Sequence, residues 1–285
     1  DQCPELTVEL AGSRWLLSGL HPQQLGRLQQ ALVNNQGAAS AGSVTWEWVD
    51  KAADWAPLDT EEEFDSSFEY RETGFSIRGL RFHADVRLER DLTAHIRVLR
   101  SAGLFTEFLL ENLLRVLVAY RANALGGILL HSACFTDLQR TWLLFGHSGA
   151  GKSTCSTFAS EAGLSVLSDD MNVIFPGEES WQVRRVPFCG TCDQDYAGPA
   201  TVALTDICHL RQSDHNRLEN LSAATGVSLL TASAAFINED PWRAERLLEN
   251  CADLLQSTRV QALYFRKDPE FVSLLTESND SKAVA

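Results

Sequence analysis

Positive charge is what this sequence has least of. Its 285 residues hold 24 Lys and Arg against 38 Asp and Glu, for a formal net charge of −14 and a pI near 4.9. A field of that sign repels phosphate backbones and anionic lipid headgroups, so neither nucleic acid nor a membrane surface is expected as a partner. Long apolar runs are also lacking. None reaches the roughly 18 residues of a membrane span. The richest stretch, "LFTEFLLENLLRVLVAY" (104–120), carries Glu107, Glu111 and Arg115. The opening "DQCPELTVEL" has neither the basic start nor the apolar core of a signal peptide. It does not begin with Met, which leaves a removed leader open. Seven cysteines, at 3, 134, 155, 189, 192, 208 and 251, are odd in number and scattered, which does not suit a disulfide framework. A reduced, cytoplasmic compartment is the expectation. Internal repeats and low-complexity segments are absent from the sequence.

What is there divides into two parts. Residues 1 to about 80 read as short strands and turns. "LTVELAGSRWLLSGL" alternates around Gly12-Ser13 as a hairpin does, "PQQLGRLQQALVNN" (22–35) is helical in pattern, and "SVTWEWV" puts Trp46 and Trp48 on one face. "DTEEEFDSSFEY" (59–70) reads as a solvated acidic loop. From 102 to 124, Leu104, Phe108, Leu109, Leu113, Val116, Leu117 and Tyr120 follow a helical period. Apolar runs of strand length follow at 126–135, 141–145, 164–170, 172–175 and 260–265, with helices expected near 151–162, 216–235 and 240–256. Strand, loop, helix, strand points to an α/β sheet covered by helices, preceded by a smaller α+β region over 1–100, with the main domain over 101–285.

The densest signal is "LLFGHSGAGKST" (143–154), which fits G-x-x-x-x-G-K-[ST] from Gly146 to Ser153. An apolar strand precedes it and a helix-capable segment follows. Gly146, Gly149 and Gly151 let the backbone turn so that the N–H groups of 146–154, those of Ser148, Ala150 and Thr154 among them, point into one concavity. The helix N-terminus adds partial positive charge there. Lys152 is one of only four lysines, with 51, 267 and 282. It is expected to reach the β- and γ-phosphates of ATP, with Ser153 on Mg²⁺.

Holding a nucleotide is not chemistry. "LSVLSDD" ends an apolar strand on Asp169 and Asp170, seventeen residues after Lys152. In a sheet of this kind the ends of the two strands lie side by side. One carboxylate is expected on Mg²⁺ and the other to take a proton from an attacking hydroxyl. Adjacent strand residues face opposite ways, so the two are assigned separate roles. His131 ends "GGILLH" just before the loop strand, where it reads either as a packed core residue or as a group near the γ-phosphate. An LSGGQ segment, an N-K-x-D segment and the acidic pattern of motor ATPases are all missing, which favours a kinase over mechanical ATPases and GTPases.

"LLHSACF…TWLLFGHSGAGKSTCSTFASEAGLSVLSDDMNVI" (129–174) resembles the catalytic domain of HPr serine kinase/phosphorylase, and more closely its diverged bacterial relatives, some of them in peptide-modification pathways. A looser likeness, with "VPFCGT" (186–191), extends over about 120–285. The resemblance implies a P-loop fold related to phosphoenolpyruvate carboxykinase and Mg²⁺-dependent transfer from ATP to a serine hydroxyl of a peptide, protein or small molecule. By position it implies Lys152 and Ser153 on phosphate and metal, Asp169 as the base, Asp170 supporting metal or water, and His131 close to the transferring group. It leaves a homo-oligomer open.

The departures are specific. The Glu-x-Arg-Gly segment of those kinases is missing from "WQVRRVPFCGTCDQD" (181–195), where Asp193 or Asp195 are the stand-ins, and Thr154 occupies the place of a Glu. HPr itself and the reverse phosphorylase reaction are therefore not expected. Arg184 and Arg185 read either as surface arginines or as a phosphate clamp. "CGTC" (189–192), with Cys208-His209 downstream, reads as small packed cysteines rather than a zinc site. The alternative to a kinase is a catalytically silent nucleotide-binding sensor or accessory protein.

Overall fold

Alternation at the start of the chain becomes a hairpin because every second side chain finds a core. In the computed structural model, which describes residues 5–11, 13–21, 40–52, 55, 57, 59, 65–89, 91–102, 105–186, 188 and 198–277, β1 (Leu6–Leu10) pairs antiparallel with β2 (Ser13–Ser18). The expected helix over 22–35, "CGTC" over 189–192, and Asp193 and Asp195 lie outside the described residues, as do residues 60–64 of the acidic run. The protein is mixed α/β, with two multi-stranded sheets and, among the described residues, five α-helices. No helix among the described residues is long and apolar enough to cross a membrane.

Two compact units divide the chain: 1–121 with 240–242, and 122–239 with 243–285. The first holds a seven-stranded sheet in the order β1-β2-β3-β7-β6-β5-β4. Its further strands are β3 (Ser40–Val49), β4 (Ser66–Arg71), β5 (Gly74–Gly79), β6 (Phe82–Leu88) and β7 (Leu92–Leu99). β2, β3 and β7 run parallel and the other pairings are antiparallel. The end of the acidic run is therefore strand, not loop: Phe68 and Tyr70 alternate onto one face, and Phe68 lies 6.0 Å from Phe75. That face buries Trp15, Trp46, Phe75, Val86, Ile96 and Val98. Tyr120 stacks on Phe75 at 4.2 Å and donates its hydroxyl to the buried Asp240 at 2.9 Å. Tyr120 belongs to α1 (Phe105–Ala124), the helix read from its 3.6-residue period.

α1 stops where glycine permits it. Gly126 has φ 82; its N–H donates to Asn123 O at 3.2 Å, and that of Gly127 to Ala122 O at 2.8 Å. This double bond satisfies the last carbonyls and needs the left-handed residue that Gly supplies. The chain then enters β8 (Ile128–Thr136). Beside this turn, the buried Asn250 donates through Nδ2 to Asn123 O, Asn123 Oδ1 and Gly127 O at 3.0, 2.9 and 3.1 Å. Asn250→Leu takes this donor from Asn123 Oδ1 and Gly127 O, while Asn123 O keeps the N–H of Gly126. The expected loss is about 1–3 kcal/mol of unfolding free energy, read from urea titration.

The second unit is built on a nine-stranded sheet ordered β13-β12-β11-β8-β9-β14-β16-β15, with β10 paired to β8 off that path. The members are β9 (Thr141–Phe145), β10 (Ser165–Ser168), β11 (Met171–Pro176), β12 (Trp181–Arg184), β13 (Thr201–Ala203), β14 (Asp206–Gln212), β15 (Arg217–Asn220) and β16 (Val260–Phe265). β14 runs parallel to both β9 and β16, forming the parallel heart of the sheet. Its helices are α2 (Lys152–Glu161), α3 (Ala223–Ser233), α4 (Ala244–Ser257) and α5 (Glu270–Glu277). The helix expected near 216–235 starts late because Arg217–Asn220 pairs with β16; Ser222 then caps α3, its Oγ accepting from Thr225 N at 3.2 Å. Phe135, Trp142, Leu144, Cys155, Ala159, Phe265 and Phe271 share one buried core.

Candidate functional site

The site begins with a strand that has no wet face. Every residue of β9, "TWLLF", is buried, and the chain leaves the sheet interior after Phe145 as a loop that runs to the start of α2. Ala150 N donates to His147 O at 3.1 Å, closing the turn between them. Gly149 has φ 78 and Gly151 φ 110, both in the left-handed region. Gly151 caps α2 without a side-chain bond. Backbone N–H groups of the first turn are thus not taken by a capping side chain. The loop is also tight. A Cβ on Gly146 would lie 3.2 Å from both Ala150 Cβ and Leu210 O, and one on Gly151 would lie 3.1 Å from Phe265 Cε1. Gly151→Ala therefore meets both strain and crowding. A loss of about 1–3 kcal/mol is expected in denaturant titration, with the loop as its origin.

Lys152 is 6% exposed. Its Nζ donates to Gly146 O at 3.0 Å and His147 O at 3.1 Å, so the first helical residue ties back to the start of the loop. Burial pushes its pKa down, and the Asp170 carboxylate pushes it partly back up. Ser148 and Gly149 are exposed, Ala150 is buried, Ser153 is exposed and Thr154 half-buried. Gln212, at the end of β14, donates to Gly149 O at 2.8 Å and braces the loop from the neighbouring strand.

The aspartates arrive by an unexpected route. β10 does not lie beside β9. It pairs antiparallel with β8, with a register irregularity between Val166 and Ser168, and the chain then turns into β11, which also pairs with β8. Met171 sits opposite His131 in that ladder. The physical reason is occupancy: β8 and β14 take the two edges of β9, so β10 pairs on β8, one strand further out. Asp170 N donates to Ser168 Oγ at 3.3 Å, and Asp170 O accepts from Ser132 N at 3.0 Å. Buried Asn172 anchors the same corner through Ser132 O at 2.7 Å and Ser132 Oγ at 3.0 Å. His131 Nε2 lies 3.4 Å from Asp170 Oδ1. Asp169 is 4% exposed. The structure thus brings Asp170 to both His131 and Lys152, while Asp169 sits on the buried side of the same turn. Arg184 instead stacks over Phe175 at 4.9 Å, and Arg185 N donates to Ala200 O at 2.9 Å.

A segment that the sequence did not flag, 232–238, completes the surroundings. A cleft of about 420 Å³ lies between His131, Gly146–Ser148 and the segment 232–238. That segment is fixed by a bridge from Ala234 to Leu130 and by a three-residue turn, in which Ile237 N donates to Ala235 O at 2.9 Å around Phe236 at φ 71. Turns of this hand are strained for a bulky residue. His209, on the other side of the loop, has its pKa lowered by burial, then by Arg211 and His147. Nothing local in "TASAAFIN" (231–238) marks that segment, because the residues it lines the cleft with, His131 and Gly146–Ser148, are distant in sequence.

Among the described residues, no group of three or more His, Cys, Asp or Glu is placed to hold a metal ion. Mg²⁺ needs less than that: one or two carboxylates with phosphate oxygens and water suffice. Ser153 and Asp170 are of the right chemistry for it. Cys134, Cys155, Cys208 and Cys251 are buried free thiols whose pKa burial pushes up, that of Cys251 to about 11.

The family model described as "SynChlorMet cassette protein ScmC" matches residues 102–264, more than half of the chain. No curated protein matches it. The expected membership of the HPr serine kinase/phosphorylase family is therefore corrected: the matching family is ScmC. The 45 or so residues behind that resemblance carry a short local order of strand, glycine loop, helix and acidic pair. The missing Glu-x-Arg-Gly segment and Thr154 fall in the same region.

Proposed function

We infer that this chain, which belongs to the SynChlorMet cassette protein ScmC family, binds Mg-ATP through a P-loop-type α/β domain and transfers the γ-phosphoryl group to a serine-type hydroxyl of a peptide, protein or small molecule. One observation carries the reading. A buried lysine at the start of a helix closes a glycine loop and lies within electrostatic reach of Asp170, which itself meets His131. Burying a cation against backbone carbonyls and one carboxylate costs free energy that packing alone does not require. A polyanionic ligand on the loop explains it.

Backbone N–H groups of the Gly146–Thr154 loop, that of Ala150 aside since it donates to His147 O, hold the phosphates together with Lys152. Ser153 and Asp170 hold Mg²⁺, which when bound neutralises charge on the phosphate oxygens. His131 orients Asp170. Asp169 accepts the proton of the attacking hydroxyl, whose oxygen bonds to phosphorus as the bridging oxygen leaves with ADP.

Lys152 gives the reading a pH signature. Its ammonium form binds phosphate, and that form is present at low pH and lost as pH rises through the folded-state pKa. Burial places that pKa below the usual 10.5. Affinity for Mg-ATP is expected to decline in the alkaline range before a free lysine would titrate. Asp170→Asn removes the influence that raises this pKa and moves the decline to lower pH. Calorimetric titrations across the alkaline range check both shifts.

Transfer is tested with γ-labelled ATP and Mg²⁺ in a desalted lysate of the cells that carry the chain, wild type beside Asp169→Asn. A labelled species formed only by the wild type supports the kinase. ATP binding without any labelled species favours the silent sensor, the reading to which the missing Glu-x-Arg-Gly segment lends weight.

A further inference from the structure

The cleft beside His131 and the start of the glycine loop has walls of one kind. Among the described residues that line it, none is Lys, Arg, Asp or Glu, and the ionisable ones are His131 and His147. Asn238 and two serines add neutral polar groups, while Met171, Phe236 and three alanines supply apolar surface. At the His131 end stands Asp170, 3.4 Å from the imidazole. The wall that faces a would-be acceptor is thus uncharged, and the groups suited to chemistry lie at one end of it.

Phe236 is the unusual member of that wall. Its φ of 71 lies in the left-handed region, within the turn that Ile237 N closes on Ala235 O at 2.9 Å. Glycine takes this conformation freely. A bulky residue is strained there, and such strain persists only where the surroundings over-determine it, as at ligand clamps. The anchors lie on either side: Ala234 and Ile237 are each 2% exposed, and Ala234 bridges to Leu130. The phenyl ring gains little from the core in return. Phe236 is half-buried, stands outside the buried core, and makes no ring contact with another described aromatic residue. A ring held in strain on a cleft wall, without core burial, serves what enters the cleft.

We propose that Phe236 is the specificity-determining residue for the acceptor: its ring packs on an apolar residue next to the serine of an uncharged peptide segment, which lies in the cleft with its hydroxyl toward His131 and Asp170. That this hydroxyl is the phosphoryl acceptor rests on the phosphotransfer reading. The lining selects the class. An anionic acceptor finds no Lys or Arg among the described lining residues, and a cationic one finds no carboxylate there. Either would leave water for a wall that does not pair it. A neutral occupant is also indifferent to the field of a chain of net charge −14. A sugar needs a partner for each hydroxyl it buries, and alanines with Met171 and Phe236 supply few. The volume, about 420 Å³, is that of a ligand cleft and far more than one seryl side chain fills, so neighbouring residues enter with it.

The test titrates the full chain, without nucleotide, with the capped tetrapeptide Leu-Ser-Leu-Ala, read by saturation-transfer NMR. Wild type is expected to bind saturably, and Phe236→Ala to weaken binding by about tenfold. Phe236→Gly is expected to weaken it as much, yet to melt at a higher temperature than Phe236→Ala, because glycine takes φ 71 without strain. Leu138→Ala, at a leucine 70% exposed in the turn between β8 and β9, is expected to keep affinity within about twofold. Capped Glu-Ser-Glu-Ala and Lys-Ser-Lys-Ala are expected to bind about tenfold more weakly or less. The proposal is overturned by an absence of wild-type binding, by equal affinity of Phe236→Ala, or by affinity that follows melting temperature across the variants. A charged peptide or methyl glucoside that binds as tightly, with the same dependence on Phe236, also overturns it. Mg-ATP calorimetry on the same wild-type sample reports the loop separately. Nucleotide binding without peptide binding overturns the acceptor cleft alone; peptide binding without nucleotide binding overturns the phosphotransfer reading and upholds the peptide cleft.

Discussion

Lys152→Met is expected to weaken Mg-ATP binding by about 100-fold. A charge-assisted hydrogen bond is worth about 1.5–3 kcal/mol, and this side chain is placed to supply more than one to a phosphate pair. The side chain is only 6% exposed, so its ammonium acts in surroundings where water screens little. Methionine preserves most of the stem and its packing. It removes the bonds to Gly146 O and His147 O, but leaves no unpaired buried charge. The variant should therefore fold, with a urea midpoint near that of wild type, and fail to bind in calorimetry. Arginine at the same position is expected to do little better, because the planar guanidinium is too broad for a cradle whose Gly146 already approaches Ala150 and Leu210 closely. Binding of Mg-ATP by Lys152→Met at wild-type affinity would remove the loop from the account.

The second large effect separates the two aspartates. Asp169→Asn keeps size and hydrogen-bonding capacity but cannot accept the proton. Phosphoryl transfer is expected to fall by about 100-fold or more, the scale of a general base, with Mg-ATP affinity close to wild type. Asp170→Asn is expected to lose affinity as well as turnover. Its carboxylate meets His131 at 3.4 Å and acts on Lys152, so its charge matters before any chemistry occurs. Measuring affinity and turnover for both variants assigns the roles. If Asp169→Asn is the one that loses affinity, base and metal ligand exchange places; if neither variant changes turnover, no transfer chemistry runs at this corner.

Much of the second unit could be read from its sequence because buried strands in such a sheet are continuous apolar runs. "TWLLF" and "VQALYF" became β9 and β16 at the residues expected. The loop between β9 and α2 was legible for a different reason: glycines, a lysine and a hydroxyl at fixed spacing describe backbone geometry as well as chemistry. In the first unit, β6 and β7 carried a plain signal that went unread. Phe82, Ala84, Val86 and Leu88, then Leu92, Ala94, Ile96 and Val98, alternate without a break. His83, Asp85, Arg87, Thr93, His95 and Arg97 stand between them, on the opposite face. β4 was hidden in the same way behind Asp and Glu.

Other features were not legible in principle. Nothing in "LSVLSDD" says that it will pair with β8 rather than lie beside β9; that depends on which slot is open once β14 takes the other side of β9. The brace from Gln212 to Gly149 joins residues 63 apart. The turn at Phe236 acquires its position only from the bridge between Ala234 and Leu130. Such contacts are set by topology, which local pattern does not encode.

The most direct test of the account is hydrogen exchange of the backbone amides with and without Mg-ATP. The central claim is that backbone N–H groups of the Gly146–Thr154 loop, that of Ala150 aside, hold phosphate oxygens, with Asp170 beside them. Peptides covering 146–154 and 168–171 are then expected to gain protection when Mg-ATP is added, and Lys152→Met to abolish the gain. Unchanged exchange across the loop at saturating Mg-ATP, or protection gained only elsewhere in the chain, would contradict it.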